Sequence, residues 1–292
     1  MKQTKRKEKK QRGGFLAPLL AVLLFVIGAG IFLYPTISNY LAENEQIAVI
    51  QDYQEQVENG STVDLEAEWK KAEIYNENLA GDPVRDPFVP GSGYALPDNY
   101  EEVLNVGGVM GYVEIPKIDV MLPIYHGSSE EVLEKGVGHI ESTALPIGGT
   151  FRHSVLTGHR GLPSAELFTR LDELAVGDLF FIHVLDKTLA YEVDQIKTVL
   201  PTELEDIQAI PDRDLVTLLT CTPYGVNTHR LLVRGTRTEY VPQEEEAAGA
   251  IEKQKTGLVL KLSGIGIILG LCLLVFLIIF LLVKKNRRHH ER

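Results

Sequence analysis

At 292 residues, with 45% apolar and 24% charged side chains, the chain is long enough for one domain with a sizeable core and some length beyond it. Its net charge of −11 is unevenly spread: residues 1–14 carry +6 and residues 284–292 carry +4, leaving −21 for the stretch between. No basic stripe remains to track a phosphate backbone, so nucleic acid is not an expected partner, and two cysteines are too few for a disulfide-stapled fold.

In chain order, residues 1–14 form a basic tail and residues 15–34 a run of twenty uncharged, mostly apolar residues. At 1.5 Å per residue such a helix spans about 30 Å, the hydrocarbon thickness of a bilayer. The run exceeds a usual signal-peptide core, and Tyr34-Pro35-Thr36 offers no small-x-small cleavage site, so an uncleaved anchor is expected. Residues 35–80 read as a helical arm, with Ile47, Ile50, Tyr53 and Val57 at helical spacing. Residues 81–99, with Pro83, Pro87, Pro90 and Pro97, read as a long irregular loop.

From residue 100 to 242 the texture changes to short strands. Strands are expected over 111–116, 120–125, 154–157, 179–184, 189–199, 215–220 and 231–238, with a short serine-capped helix over 128–135 and another helix over 164–174. Many strands and few helices predict a closed β-barrel. Residues 243–261 form a linker. Residues 262–283 are a second uncharged run of membrane-spanning length, followed by the basic tail 284–292. The positive-inside rule then predicts both termini in the cytoplasm and the middle of the chain outside.

Cys272 lies within the second run, so Cys221 is the one thiol expected in the exported region, where most cysteines form disulfides. The apolar stretch before Cys221 breaks at Pro223 and Gly225, and a second apolar strand opens at Arg230. That pattern can set a nucleophile and a cation side by side at neighbouring strand ends, where positive charge favours the thiolate. The bland reading is a buried cysteine serving as a small hydrophobe. Among eight histidines, His159 stands out: Thr157-Gly158-His159-Arg160-Gly161 ends a strand in a glycine-bracketed turn. His229, adjacent to Arg230, should face the other side of the strand; His153 and His183 can be satisfied structural residues, and His126 and His139 flank the short helix.

These residues resemble the sortases, membrane-anchored cysteine transpeptidases of Gram-positive bacteria. The family's Thr-Leu-x-Thr-Cys motif is matched by Thr217, Leu218, Leu219, Thr220 and Cys221, its arginine by Arg230 and its strand-end histidine by His159. The resemblance extends over residues 40–240. A C-terminal membrane helix and an Asp-Pro-aromatic lid motif, here Asp86-Pro87-Phe88, point to the pilin-polymerising class C; several relatives carry Trp where this chain has Phe88.

The resemblance implies a barrel of about eight strands and a lid formed by Asp86 and Phe88. It also implies Cys221 attack on the Thr–Gly bond of a Leu-Pro-x-Thr-Gly-like sorting signal, and transfer of the resulting thioester to a pilin lysine. Pilin subunits and the membrane are the implied partners, with no metal and no cofactor. Three alternatives remain at this stage: a sortase anchoring proteins to peptidoglycan, a cysteine peptidase that only hydrolyses, and a non-catalytic assembly scaffold.

Overall fold

The computed structural model describes residues 16–59, 64–79, 99–203 and 205–241, together with Gly266 and Gly270. The chain divides into two compact units, Met1–Ile37 with Glu252–Arg292, and Ser38–Ile251. Helix α1 (Leu16–Glu58) starts in the first and ends in the second. Among the described residues it is the one helix long and apolar enough to cross a membrane. Its N-terminal part exposes Leu23, Leu24, Ile31 and Phe32. The expected second span lies outside the described residues, apart from helical Gly266 and Gly270.

The second unit is mainly β. Its strands are β1 (Gly111–Ile115), β2 (Val120–His126), β3 (Val137–His139), β4 (Arg152–Thr157), β5 (Leu179–Val184), β6 (Lys187–Val199), β7 (Asp214–Thr222) and β8 (His229–Thr238). They close into an eight-stranded barrel in the order β1-β2-β3-β4-β7-β8-β6-β5. Two neighbouring pairs, β2·β3 and β4·β7, run parallel; the others run antiparallel. Closure leaves no barrel edge open to pair with another chain.

Side chains alternate across each strand, and this sorts them into two apolar groups. Val216, Leu218, Leu231 and Val233 point into the barrel and join its main core. Leu219 and Leu232 point outward and form a second cluster with Ile140, Val155, Val199 and Ile207. Ile207 lies in the connection between β6 and β7, which packs over this outer face.

The helical arm is part of the main core. Ile47, Ile50, Tyr53 and Val57 of α1 are buried in the same cluster as the barrel interior. Tyr53 donates its hydroxyl to the Met110 carbonyl at 3.2 Å and accepts from the Leu185 amide at 2.6 Å. Helix α2 (Leu65–Asn78) opens at Asp64, whose side chain caps the Ala67 amide. Its Asn76 pairs with both backbone groups of Leu145, as a strand neighbour would.

Two expectations need correction. Residues 164–174 form turns and one 3₁₀ turn, Leu171–Glu173, and no α-helix. Leu167 adopts the left-handed region, and the Phe168 amide and Thr169 carbonyl bond to His159 and Arg160. Those groups are therefore unavailable for helical pairing. Strand β3 went unrecognised because three residues carry no readable alternation. The short helix is α3 (Glu130–Lys135), capped by Ser129 in place of Ser128.

Candidate active site

Register builds the site. On the antiparallel side, Cys221 of β7 lies directly opposite Arg230 of β8, the spacing at which same-face side chains are about 5 Å apart. On the parallel side, β4 and β7 pair from Arg152↔Asp214 to Thr157↔Leu219 without a shift. Two residues further on, the same offset sets His159 beside Cys221. Bonds past the end of β4 maintain it: the Gly158 amide donates to the Leu219 carbonyl at 3.1 Å, and the Thr220 hydroxyl to the Gly158 carbonyl at 2.7 Å.

Alternation fixes the face. Leu219 and Leu232 lie in the outer cluster, so Cys221 and Arg230, each two residues along, continue that row toward the strand ends. Cys221 and Arg230 thus come together at one end of the barrel's outer face, and the turn carrying His159 runs alongside Cys221. The turn carrying His159 depends on Gly158 through close approach. A Cβ there would sit 2.8 Å from the Phe168 ring, and the Phe168 amide bonds the His159 carbonyl at 3.1 Å. Gly161, at φ +81, completes the turn beneath the Tyr224 ring.

The surroundings are nearly dry. Cys221 is 8% and Arg230 6% exposed, while His159 is half-buried. Low local polarity strengthens charge interactions between them. Arg230 Nη1 donates to the Asn227 and His229 carbonyls at 3.3 and 3.2 Å, which fixes one edge of the guanidinium against its own hairpin. Burial lowers the His159 pKa below the ordinary imidazole value, and the carboxylates of Glu130 and Glu134 on α3 oppose that shift.

The other internal histidines are held as structural groups. His139 gives its Nε2 proton to the Ala144 carbonyl at 2.9 Å, leaving Nδ1 to accept from the Tyr100 hydroxyl at 2.9 Å. His153 is tied to the Gln208 carbonyl and the Thr217 hydroxyl, His126 to the Val103 carbonyl, and His183 to Glu114. Among the described residues no group of three His, Cys, Asp or Glu could hold a metal ion. Asp86 and Phe88 lie outside the described residues.

Sequence reading passed over Glu130 and Glu134, whose i,i+4 spacing on a capped helix was the available signal. It also passed over Arg160 and Thr222, which flank His159 and Cys221 and bond to each other at 3.1 Å. Their meeting depends on a parallel pairing 62 residues apart in sequence, which no local pattern encodes.

Comparison with known proteins agrees with the fold. The family model described as "Sortase domain" matches residues 113–238. The crystal structure of sortase C from Streptococcus pneumoniae is 46% identical with a TM-score of 0.62; the match covers 67% of this chain and 99% of that one. The pilus-related sortase C of Group B Streptococcus is 44% identical with a TM-score of 0.60, covering 65% and 97%. Sortase SrtE1 of Streptomyces coelicolor is 31% identical over 180 residues, 56% of this chain; the chain spans about half (46%) of that relative's length. With near-complete coverage of the streptococcal enzymes at these identities, the chain belongs to the sortase family of cysteine transpeptidases, within its class C.

Proposed function

We propose that this protein joins pilin subunits by transpeptidation, with Cys221 as nucleophile, His159 as proton carrier and Arg230 as oxyanion donor. The observation that supports the reading is the pairing of Cys221 with Arg230 at the strand ends, with the turn after β4 bonded alongside through Gly158. The Streptococcus pneumoniae sortase C has a pilin substrate specificity and the Group B Streptococcus enzyme is pilus-related, which supports pilins as the substrate here.

In this reading the Cys221 thiolate attacks the Thr–Gly carbonyl of a Leu-Pro-x-Thr-Gly-like signal. Negative charge then develops on the carbonyl oxygen, and a donor already in place is worth far more there than in water. Arg230, fixed against its hairpin, supplies that donor together with backbone amides. Protonated His159 donates to the departing glycine amine, and the carbonyl remains on Cys221 as a thioester. The neutral imidazole then takes a proton from a lysine ε-amine as it attacks, forming an isopeptide bond and freeing the thiol. In this reading, as the family resemblance implies, the segment with Asp86 and Phe88 would serve as a lid, with Asp86 pairing with Arg230 and Phe88 covering Cys221. A partly exposed ion pair contributes only about 0–1 kcal/mol, so a signal peptide can displace it.

The test is incubation of the full chain, in detergent, with a pilin that carries its sorting signal. Wild type should produce covalent ladders, Cys221→Ala none, and the Asp86→Ala/Phe88→Ala double variant more than wild type. Cleavage without ladders would instead identify a hydrolase or a peptidoglycan-anchoring enzyme. A Cys221→Ala protein that still built ladders would refute the assignment.

A further inference from the structure

The loop leaving β4 and the end of β7 are fastened on both sides of the His159–Cys221 pair. Ahead of the pair, Thr220 bonds Gly158. Behind it, Arg160 bonds Thr222, the Nη1 to hydroxyl distance being 3.1 Å. The same guanidinium reaches one further segment, residues 164–174, at two points. Its Nε donates to the Thr169 carbonyl at 3.2 Å, and its Nη2 to the Asp172 carboxylate at 2.5 Å. The Gly161 amide adds a bond to the Thr169 hydroxyl at 3.0 Å. With its side chain only 8% exposed, Arg160 is a built-in cross-tie.

Building on the transpeptidase reading above, we propose that Arg160 is a positioning residue for Cys221. Anchored to Asp172 and Thr169, it holds the Thr222 hydroxyl and so fixes the thiol-bearing end of β7 against the His159 turn. The geometry demands arginine. One planar fork serves three acceptors on two segments, which a lysine ammonium on a flexible stem does not reproduce. Thr222 is also the last residue of β7, paired with His229. The tie therefore sets where the β7–β8 connection begins, and that connection and the first residue of β8 supply the carbonyls holding Arg230, from Asn227 and His229. Slack here moves thiol, imidazole and guanidinium relative to one another. Misplacement by about 1 Å can cost about 100-fold in rate.

Two simpler roles make different predictions. If Arg160 only supplied positive charge near the thiol, Arg160→Lys would be silent and Thr222→Val, which changes no charge, would be too. If it only stabilised the fold, activity would track unfolding, and restoring the hydroxyl alone in Thr222→Ser would carry no special effect.

The experiment uses the full chain in detergent and a fluorescence-quenched peptide containing Leu-Pro-x-Thr-Gly. In parallel, iodoacetamide alkylation of Cys221 is followed by peptide mass mapping, which requires no substrate. Arg160→Lys and Thr222→Val should each lower kcat by about 10- to 100-fold with KM nearly unchanged. Thr222→Ser should restore most of kcat, and Cys221 alkylation in the two impaired variants should shift toward the rate seen in His159→Ala. Wild-type kcat in Arg160→Lys or in Thr222→Val overturns the proposal. So does a loss of kcat matched by equal loss of unfolding free energy and not recovered in Thr222→Ser. If wild type leaves the peptide intact while alkylation still separates the variants as stated, the transpeptidase reading fails and the positioning role stands.

Discussion

His159 shows how a single residue's environment sets chemistry. Burial disfavours its imidazolium, while Glu130 and Glu134 favour it from α3. In the proposed mechanism the imidazolium must donate a proton to the leaving amine, so its population limits the rate. Replacing both carboxylates by amides, Glu130→Gln/Glu134→Gln, removes the opposing influence and lowers the His159 pKa further. The limb of the pH–rate profile that reports His159 should then move to lower pH, and the maximum rate should fall. Both glutamates are exposed, so the displacement should shrink as salt is added. A profile that superposes on wild type at low salt would remove Glu130 and Glu134 from any part in proton transfer.

At the scale of elements, what the sequence made legible follows from what each element needs. Strands β1, β2 and β5 to β8 carry runs of β-branched and aromatic residues between breakers, and local pattern suffices to find them. Residues 164–174 have helical composition, yet the Phe168 amide and the Thr169 carbonyl bond to the His159 turn; tertiary partners outweighed propensity. The candidate site stands out in the sequence for a related reason. His159, Cys221 and Arg230 each sit at a strand end marked by Gly or Pro, whereas Arg160 and Thr222 gain meaning only from the β4·β7 pairing. His139 belongs to the hidden class as well. It joins β3 to Tyr100 and to the Ala144 carbonyl, and burial pushes its pKa down to about 4. Its unfolded value is near 6.5, so between pH 6.5 and pH 4 the unfolded chain binds the extra proton. Stability contributed by neutral His139 is therefore complete above that window and is lost as pH falls through it, by about 3 kcal/mol. Denaturant unfolding of the full chain can be followed through the fluorescence of Trp69, the sole tryptophan. The loss on acidification should be steeper in wild type than in His139→Gln. Equal slopes would mean that His139 does not carry the pH dependence.

At the scale of the whole molecule, charge and hydropathy bear on where the barrel works. Helix α1 has the length and composition to cross a bilayer, and its apolar stretch follows a tail of +6. Residues 262–283 precede a tail of +4, while residues 15–283 carry −21. Basic flanks are retained in the cytoplasm, at a scale of about 1 kcal/mol per Lys or Arg near an anionic surface. We propose that both ends are retained, which would require two crossings and leave the residues between them outside, where a thiol enzyme would meet exported pilins. Epitope tags at both termini make this testable in intact cells exposed to an external protease. The region between the anchors should be digested while both tags survive, and both should become digestible only after the cells are opened. Loss of the C-terminal tag alone from intact cells would show that residues 262–283 do not cross the membrane, leaving α1 as sole anchor. Loss of the N-terminal tag alone would reverse the orientation of α1 and place the barrel on the cytoplasmic side, which is incompatible with assembly of a surface fibre. Charge reversal supplies the complementary arm. Neutralising Lys284, Lys285, Arg287 and Arg288 removes the retention signal beside the second run, and it should expose the C-terminal tag in a fraction of molecules while the barrel stays outside.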